Sequence, residues 1–318
     1  MAPPARTHAA ALAPGGIGNI GPGLDILGLA LTGPGDHVAA LRVSTPGVVI
    51  ADSGSPELPT DPTRNTAGIA ALEVLRRAGA LEVGVSLTVT KGLPLAGGQG
   101  GSAASAVAGA VAVNRLLDSP LGAMELLDCA LEAETTVSGR HADNLAPALL
   151  GGICLVRHTD PLDVVALPVP ASLYIVVAHP AQRLATADAR EVLPRFVERH
   201  RVISQLASVA ALVAAFHNGD LDLLGRAIDD QIAEPAREPL LRGFAMAKAA
   251  ALAAGALGGS ISGAGPSSFF FARDDASSER VAAAVHDAYE RAGVASTVRL
   301  ARVAARGALT LPEEARLA

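Results

Sequence analysis

The alternation of apolar and polar positions predicts short strands and helices in turn over the first half of the chain. Three apolar runs predict strands, at 38–43, 83–90 and 149–156. Three helical stretches are predicted between them, at 66–78, 102–117 and 121–137. Gly79 follows the first of these helices directly and is a typical stop signal.

The second half of the chain has a different order of elements. A buried strand is predicted first, at 172–178, and four helical stretches follow it, at about 186–192, 196–217, 220–233 and 240–255. The chain then closes with strand, strand, helix and strand, at 257–262, 267–273, 277–292 and 295–304. This order is typical of a split βαβ sandwich. Thr159-Asp160-Pro161 separates the two patterns and predicts the joint between two domains.

Composition excludes several classes of protein. The net charge of −6, the 3% aromatic content and the lack of a basic tract argue against nucleic-acid binding. No apolar run approaches the ~20 residues that span a bilayer, so we expect no membrane segment. No signal-peptide pattern is present, and the two cysteines are too few for a disulfide framework. We therefore expect a cytoplasmic protein.

A glycine-rich stretch, residues 91–105, lies between a predicted strand and a predicted helix. Small residues let backbone N–H groups approach a ligand, and the helix N-terminus favours negative charge. The stretch therefore predicts a phosphate-binding loop. No Lys follows the glycines as a Walker loop requires, and Ala103 stands where a dinucleotide loop needs Gly. A flexible loop before a closely packed helix remains the alternative.

A second glycine cluster, residues 16–21, matches the dinucleotide pattern G-x-G-x-x-G. No clear strand pattern precedes it, and Pro22 follows where a helix would have to begin. We therefore reject it as a dinucleotide site. The cluster still places Asn19 and Asp25 on a tight loop, where polar side chains face a ligand or water.

Four blocks of sequence together resemble the GHMP kinases, the family named for galactokinase, homoserine kinase, mevalonate kinase and phosphomevalonate kinase. They lie at residues 13–28, 92–105, 139–152 and 261–267. Within the family, three motifs resemble the homoserine kinase branch: N-x-G-P-G-x-D-x-L-G, H-A-D-N-x-A-P-A-x-x-G-G and E-P-x-R. The resemblance implies an α+β fold of two domains. Residues 1–160 would form a ribosomal-protein-S5-like nucleotide domain, and residues 161–318 a ferredoxin-like split βαβ domain that contributes to the substrate site.

The resemblance also implies phosphoryl transfer from ATP with Mg²⁺. Ser102 and Glu134 would contact the metal ion and, with Asp143, make up the catalytic set; Glu132 is the competitor for Glu134. Asn65 would lie near the base or ribose, although it is equally suited to cap a helix. The remaining expected nucleotide contacts belong to the glycine loop: Pro94, Gly97, Gly98, Gln99, Gly100, Gly101, Ser102 and Ala103.

The small-molecule substrate implied by the resemblance is L-homoserine, phosphorylated on its hydroxyl for threonine biosynthesis. Its ammonium and carboxylate groups need an anion and a cation, and an Arg fork suits a carboxylate. The expected substrate residues are Asn19, Asp25, His141, Arg190 and Arg237. His141 is expected to be a ligand that also supports its loop, and Asp143 is not assigned as a base. The resemblance suggests a homodimer.

The glycine loop departs from the family pattern at two positions. Gln99 stands where the family usually has Leu, and Gly101 where it usually has Ser. Loss of a hydroxyl and gain of glycine predict weaker ATP binding without loss of a metal or substrate ligand. Two alternatives to the homoserine hypothesis stay open: a kinase for mevalonate or a sugar, and a catalytically weak ligand-binding sensor on the same fold.

Overall fold

Two β-sheets organise residues 6–312, the part of the chain that the computed structural model describes. The first sheet has the strand order β11-β1-β2-β4-β3. In addition, β5 pairs with the N-terminal end of β2, and β6 pairs with β5. All of its pairings are antiparallel except the one between β3 and β4. Its strands are β1 (His8–Gly18), β2 (Leu27–Val43), β3 (Gly47–Asp52), β4 (Gly84–Thr90), β5 (Ile153–Thr159), β6 (Leu162–Leu167) and β11 (Leu309–Thr310).

Four helices cover one face of this sheet: α1 (Thr66–Arg77), α2 (Gly101–Leu116), α3 (Ala123–Val137) and α4 (Leu145–Leu150). The Ala-rich α2 is buried over most of its surface and packs against α1, α3 and the sheet. A Cβ at Gly109 would lie 2.8 Å from the Ala67 carbonyl oxygen, so glycine lets α1 and α2 approach closely. This packing fixes the start of α2, which carries the glycine loop.

The second sheet has the strand order β10-β7-β9-β8, all antiparallel. Its strands are β7 (Tyr174–Pro180), β8 (Gly258–Ile261), β9 (Ser268–Ala272) and β10 (Ser296–Ala301). Helices α9 (Phe244–Ala253) and α10 (Asp275–Arg291) pack on one face. The predicted split βαβ order is therefore confirmed.

The other face of the second sheet packs towards the first sheet. Phe269 and Phe271 share a buried cluster there with Ile17 and Leu29 of the first sheet. Four helices lie between β7 and α9: α5 (Thr186–Glu191), α6 (Arg199–Asn218), α7 (Leu221–Ala227) and α8 (Ala233–Arg237). A 3₁₀ turn, Glu238–Leu240, follows α8. Because the two sheets share this core, both domains lie next to the glycine loop.

One predicted helix, 220–233, ends at Ala227 in the structure, and a separate helix, α8, begins only at Ala233. The carboxylate of Asp230 accepts hydrogen bonds from the amides of Ile232, Ala233 and Glu234, at 2.9 Å each. These bonds replace the hydrogen bonds that the same amides would donate to backbone carbonyls in a continuous helix, so α8 starts as a separate helix. The break is what sets the direction of α8 and of Arg237 at its end.

Two other expectations change. A strand does precede the second glycine cluster: β1 runs through Gly16 to Gly18, and its Ala, Pro and Gly content hides it because these residues have low strand propensity. The predicted joint at Asp160-Pro161 lies in the turn between β5 and β6, both in the first sheet. We therefore propose a domain boundary within residues 168–173, with β11 returning to the first sheet. Within residues 6–312, no helix has the length and apolar character needed to cross a bilayer.

Candidate active site

A cavity of about 610 Å³ lies where the glycine loop meets the second domain, a volume typical of small-ligand sites. The first domain contributes its floor, and Arg190, Arg237 and the segment 263–265 come from the second. Every residue expected from sequence to bind substrate or metal lines it, namely Asn19, Asp25, Ser102, Glu134, His141, Asp143, Arg190 and Arg237. The structure therefore brings together residues from positions 19 to 237 of the chain.

The glycine loop ends at the N-terminus of α2 on the cavity wall. Gly100 is the N-cap in a left-handed conformation (φ 70°), and no side chain accepts a hydrogen bond from the first amides of the helix. These amides and the helix dipole make the wall suitable for an anion. Pro94, Gly97, Gly98, Gly100, Gly101 and Ser102 all line the cavity.

Two residues of the expected nucleotide set lie elsewhere. Ala103 is fully buried in the first turn of α2, and Gln99 is buried with its side chain directed at Ser267 and Arg299 of the second domain. Neither is part of the cavity wall. The backbone of the loop therefore faces the cavity, while the side chain at its centre faces away.

Ser102 and Glu134 form an oxygen-rich pair on the cavity wall. Ser102 Oγ donates to Glu134 Oε2 at 3.2 Å, and Ser138 Oγ donates to the other carboxylate oxygen. Burial raises the pKa of Glu134, although both hydroxyl donors oppose that rise. No Lys or Arg in residues 6–312 lies within 4.0 Å of this carboxylate. A buried carboxylate beside a hydroxyl and without a paired cation fits a hard metal ion such as Mg²⁺.

The loop between β1 and β2 is held by Asn19, which has a left-handed backbone (φ 70°). Its side chain accepts from the Asp25 amide at 3.0 Å and donates to the Gly263 carbonyl at 2.8 Å. Its own amide donates to Asp143 Oδ2 at 3.1 Å. Asn19 therefore connects three parts of the site, so its first role in this structure is to support the cavity.

Three titratable side chains meet at the centre of the cavity: Asp25, His141 and Asp143, with one ligating atom of each within 4.8 Å of the others. His141 Nδ1 lies 3.3 Å from Asp143 Oδ1, and His141 Nε2 lies 3.1 Å from the Ser138 carbonyl. Burial lowers the pKa of His141, but the neighbouring Asp143 and Glu134 carboxylates outweigh burial, so that the pKa is raised. The cluster therefore favours a positive charge beside Asp143.

Two arginines of the second domain face this cluster. Arg190 forms a forked pair with Asp25, at 2.7 and 3.2 Å. Arg237 is buried, and its Nε and Nη1 donate to the carbonyls of Ala189 and Gly263 at 2.9 and 3.0 Å. Burial, and then the charge of Arg190, lower the pKa of Arg237. Since no carboxylate in the described residues lies within 4.0 Å of it, Arg237 is a fixed cation suited to an anionic ligand group.

Asn65 is the N-cap of α1, as one of the two sequence alternatives predicted. Its Oδ1 accepts from the amides of Ala67 and Gly68, at 3.0 and 3.4 Å, and its Nδ2 donates to the Pro59 carbonyl at 2.9 Å. Asn65 also lines the cavity. Capping fixes where the loop 58–65 closes over that end of the cavity.

Sequence reasoning missed a polar cluster beneath the glycine loop. Lys91 pairs with the fully buried Asp36 and donates to the Gly101 carbonyl and to Ser105 Oγ, at 3.0 and 2.9 Å. Asp36 also accepts from the amides of Gly92 and Leu93. A signal was present, because Lys91 is one of only two lysines in the chain and directly precedes the glycines.

Comparison with known proteins identifies the family of the chain. The family model described as "GHMP kinases N terminal domain" matches residues 65–152, and the model "GHMP kinases C terminal" matches residues 212–291. The chain belongs to the GHMP kinase family. As a member of a kinase family, it uses ATP.

Individual GHMP kinases resemble the whole chain. A homoserine kinase of Chloroherpeton thalassium is 42% identical over 88% of this chain and 91% of its own length. A homoserine kinase of Xanthomonas campestris pv. campestris is 43% identical over 91% of this chain and 89% of its own. The crystal structure of homoserine kinase from Cytophaga hutchinsonii superimposes with a TM-score of 0.92 at 39% identity, covering 96% of this chain and 98% of that one. The two-domain fold is therefore that of a GHMP kinase.

Proposed function

We propose that this protein is a homoserine kinase, which transfers the γ-phosphoryl group of ATP to the hydroxyl of L-homoserine. Relatives at about 40% identity over nearly the whole chain carry that name. The observation that carries the proposal is the charge arrangement of the cavity. A buried, unpaired Arg237 faces Asp25, His141 and Asp143 beside a phosphate-binding loop.

The carboxylate and ammonium groups of an amino acid need both a cation and an anion in the binding site. The Arg237 guanidinium has five N–H donors, of which two are used by backbone carbonyls, so the rest of its fork is available to the homoserine carboxylate. Asp25 supplies a carboxylate for the ammonium group, with Arg190 holding it in place. A sugar carries neither charge and mevalonate carries only the carboxylate, so neither would pair with both the Arg237 cation and the Asp25 anion. The two charges therefore favour an amino-acid substrate over a sugar or mevalonate.

The nucleotide and its metal ion belong at the other end of the cavity. We propose that the amides of Gly97, Gly98 and the first turn of α2 bind the triphosphate, with Asn65 near the base or ribose. Ser102 and Glu134 would hold Mg²⁺, which when bound neutralises phosphate charge. The fit rests on the buried Glu134 carboxylate, whose only hydrogen-bond donors in the described residues are hydroxyls.

In the reaction, the homoserine hydroxyl oxygen forms a bond to the γ-phosphorus while the bond from that phosphorus to the ADP oxygen breaks. A loose transition state needs mainly positioning and charge stabilisation. We propose Asp143 as the group that receives the hydroxyl proton, because its buried Oδ1 has no aligned hydrogen-bond donor among the described residues. His141 Nδ1 lies 3.3 Å from the same oxygen and positions it in the cavity.

Two further expectations belong to this proposal. The exposed apolar side chains Phe196, Ile203 and Leu206, at and before α6, are 93%, 60% and 64% exposed and are suited to a homodimer contact. Both cysteines are buried as free thiols, and burial raises their pKa to about 12. Inert thiols of this kind suit a reducing compartment such as the cytoplasm.

The proposal is tested by ADP release in a coupled assay with homoserine, mevalonate and galactose as separate acceptors. We expect turnover with homoserine only, and a phosphorylated product detected by mass spectrometry. Turnover with mevalonate or galactose but none with homoserine would refute the substrate assignment. Tight homoserine binding with no ADP release under any condition would favour the sensor alternative.

A further inference from the structure

The Gln99 side chain makes a polar bridge from the glycine loop to the second domain. It is 4% exposed, and its Nε2 donates to Ser267 Oγ at 3.2 Å. Its Oε1 accepts from Arg299 Nη2 at 3.2 Å. A buried amide whose donor and acceptor are both used is a specific contact, because an unmatched buried amide would be costly. The residue that departs from the family pattern is therefore fully accommodated here.

The two side chains that bind Gln99, those of Ser267 and Arg299, belong to the second domain and are themselves held in place. Arg299 lies on β10, and its Nη1 donates to the Thr32 carbonyl of β2 at 3.0 Å. No carboxylate in residues 6–312 lies within 4.0 Å of its guanidinium, so Gln99 is its side-chain acceptor. Ser267 is fully buried, and its Oγ also lies 3.1 Å from His179 Nδ1 on β7. Gln99 is thus bound directly by Arg299 of β10 and by Ser267, which directly precedes β9 and is itself contacted by His179 of β7.

The backbone carbonyls of the loop are anchored by both domains. Ser267 N donates to the Gly97 carbonyl at 3.3 Å, and Ser262 Oγ donates to the Gly98 carbonyl at 2.6 Å. The Gln99 carbonyl accepts from the Gly16 amide of β1 at 3.1 Å. Three successive carbonyls are therefore held on the side away from the cavity.

This anchoring matters because the loop is otherwise very free. Gly98 and Gly100 both have positive φ, at 73° and 70°, and glycine loses the most backbone entropy when it is ordered. Between Gly97 and Gly101, Gln99 is the one residue with a side chain. If the glycine loop is already ordered before the nucleotide binds, the entropy cost of ordering it does not reduce the affinity for the nucleotide.

We propose that Gln99 is a positioning residue that locks the glycine loop to Ser267 and Arg299 of the second domain, so that the loop amides are held ready for the nucleotide phosphates. An apolar residue at this position could not bridge to the Arg299 cation. The proposal rests on the proposed function only in that the phosphate-binding loop serves ATP. Gln99 would thereby oppose the weaker ATP binding that the lost hydroxyl and added glycine at position 101 predict.

The test uses Gln99→Leu in the full-length protein, with titration calorimetry of MgADP and with KM for ATP and for homoserine. Loss of a hydrogen bond to a charged partner predicts about 10-fold weaker ADP binding and a similar rise in KM for ATP. KM for homoserine should change less than 3-fold, by the same reasoning, since Gln99 does not reach that end of the cavity. Arg299→Met should cause the same loss, and Gln99→Leu combined with Arg299→Met should lose no more than either single variant.

Matched controls separate positioning from general instability. Asn114→Leu removes another buried amide, which bonds the backbone of Leu121 far along α2, and should leave ADP affinity unchanged. If Gln99→Leu does not fold, Ser267→Ala tests the same bridge with a smaller change. Wild-type ADP affinity in Gln99→Leu, or an equal loss in Asn114→Leu, would overturn the proposal. Because ADP binding needs no homoserine, a failed homoserine assay would refute the proposed function and leave this result standing.

Discussion

Replacement of Arg237 by Met gives the sharpest test of how the cavity recognises its substrate. Arg237 is 3% exposed, and its guanidinium is fixed by two backbone carbonyls, those of Ala189 and Gly263. Met has a similar apolar stem, so the variant removes the charge and the fork while filling most of the volume. The Gly263 carbonyl keeps Asn19 Nδ2 as a donor at 2.8 Å, so only the Ala189 carbonyl loses its partner.

The expected loss follows from the number of free donors. Three of the five N–H groups of Arg237 are not used by the protein and can serve a carboxylate. Two hydrogen bonds to a charged group contribute roughly 3–6 kcal/mol, of which water and Arg190 recover a part. We therefore expect kcat/KM for homoserine to fall roughly 30- to 1,000-fold, which corresponds to a loss of about 2–4 kcal/mol of transition-state stabilisation.

Stability should move in the opposite direction or stay the same. Burial lowers the pKa of Arg237, which means that its charge is disfavoured where it lies. Removal of a buried cation without a carboxylate partner relieves that cost, against about 1 kcal/mol for the lost Ala189 contact. Urea unfolding of the ligand-free protein should show a free energy of unfolding equal to or above that of the wild type.

The assay pairs initial rates at varied homoserine with calorimetry of MgADP. Arg237 lies on α8 of the second domain, so the affinity for ADP should stay within about 3-fold of wild type by the additivity of distant sites. Arg237→Lys is the matched control: it keeps the charge, loses the fork, and should fall between wild type and Met. Equal losses of ADP and homoserine binding would refute a carboxylate-binding role.

Three other predictions concern the charged groups of the first domain. Glu134→Gln should lower kcat at saturating Mg²⁺ by about 100-fold or more. Without metal, its melting temperature should be no lower than that of the wild type, since burial disfavours the charge of Glu134. Wild-type turnover would refute the metal role of Glu134, and Glu132 would not replace it, because Glu132 pairs with Arg140 outside the cavity wall. The pKa of His141 is raised by nearby carboxylates. In thermal melts, the stability advantage of the wild type over His141→Gln should therefore be full below pH ~6.5 and shrink as the pH rises through the raised pKa. An advantage that grows with pH would contradict this. Lys91→Met should cost about 3–5 kcal/mol in urea unfolding because it leaves Asp36 charged and buried, and the loss should be smaller when Asp36→Asn is added.

The order of elements could be predicted from sequence wherever apolar periodicity was clear. The split βαβ order of the second domain and the helices before and after the glycine loop are confirmed within a few residues. β1 was missed because its Ala, Pro and Gly residues are ordered by pairing with β2 and not by their own strand propensity. The break before α8 was missed because it depends on which amides the Asp230 side chain reaches.

The chemistry of the site could be predicted only where a motif identified it. Asp25, His141 and Arg237 belong to distinctive blocks of sequence and do line one cavity. Arg299 belongs to no such block, Ser267 is only the last residue of one, and Gln99 was considered only as a member of the glycine loop. Their association depends on how the second sheet packs against the first, which no local pattern records.

The same packing explains why the departures in the glycine loop do not point to a failing enzyme. Loss of a hydroxyl at Gly101 removes one local contact, but Lys91 holds the Gly101 carbonyl from below at 3.0 Å. Gain of an amide at Gln99 adds two contacts to the other domain. Local substitutions that lower rigidity are thus offset by contacts that only the folded pair of domains supplies. A glycine loop separated from the second domain should therefore lose its shape. Protection from hydrogen exchange of the Gly16 and Ser267 amides, which donate to the Gln99 and Gly97 carbonyls, should fall in Arg299→Met before any change in global unfolding.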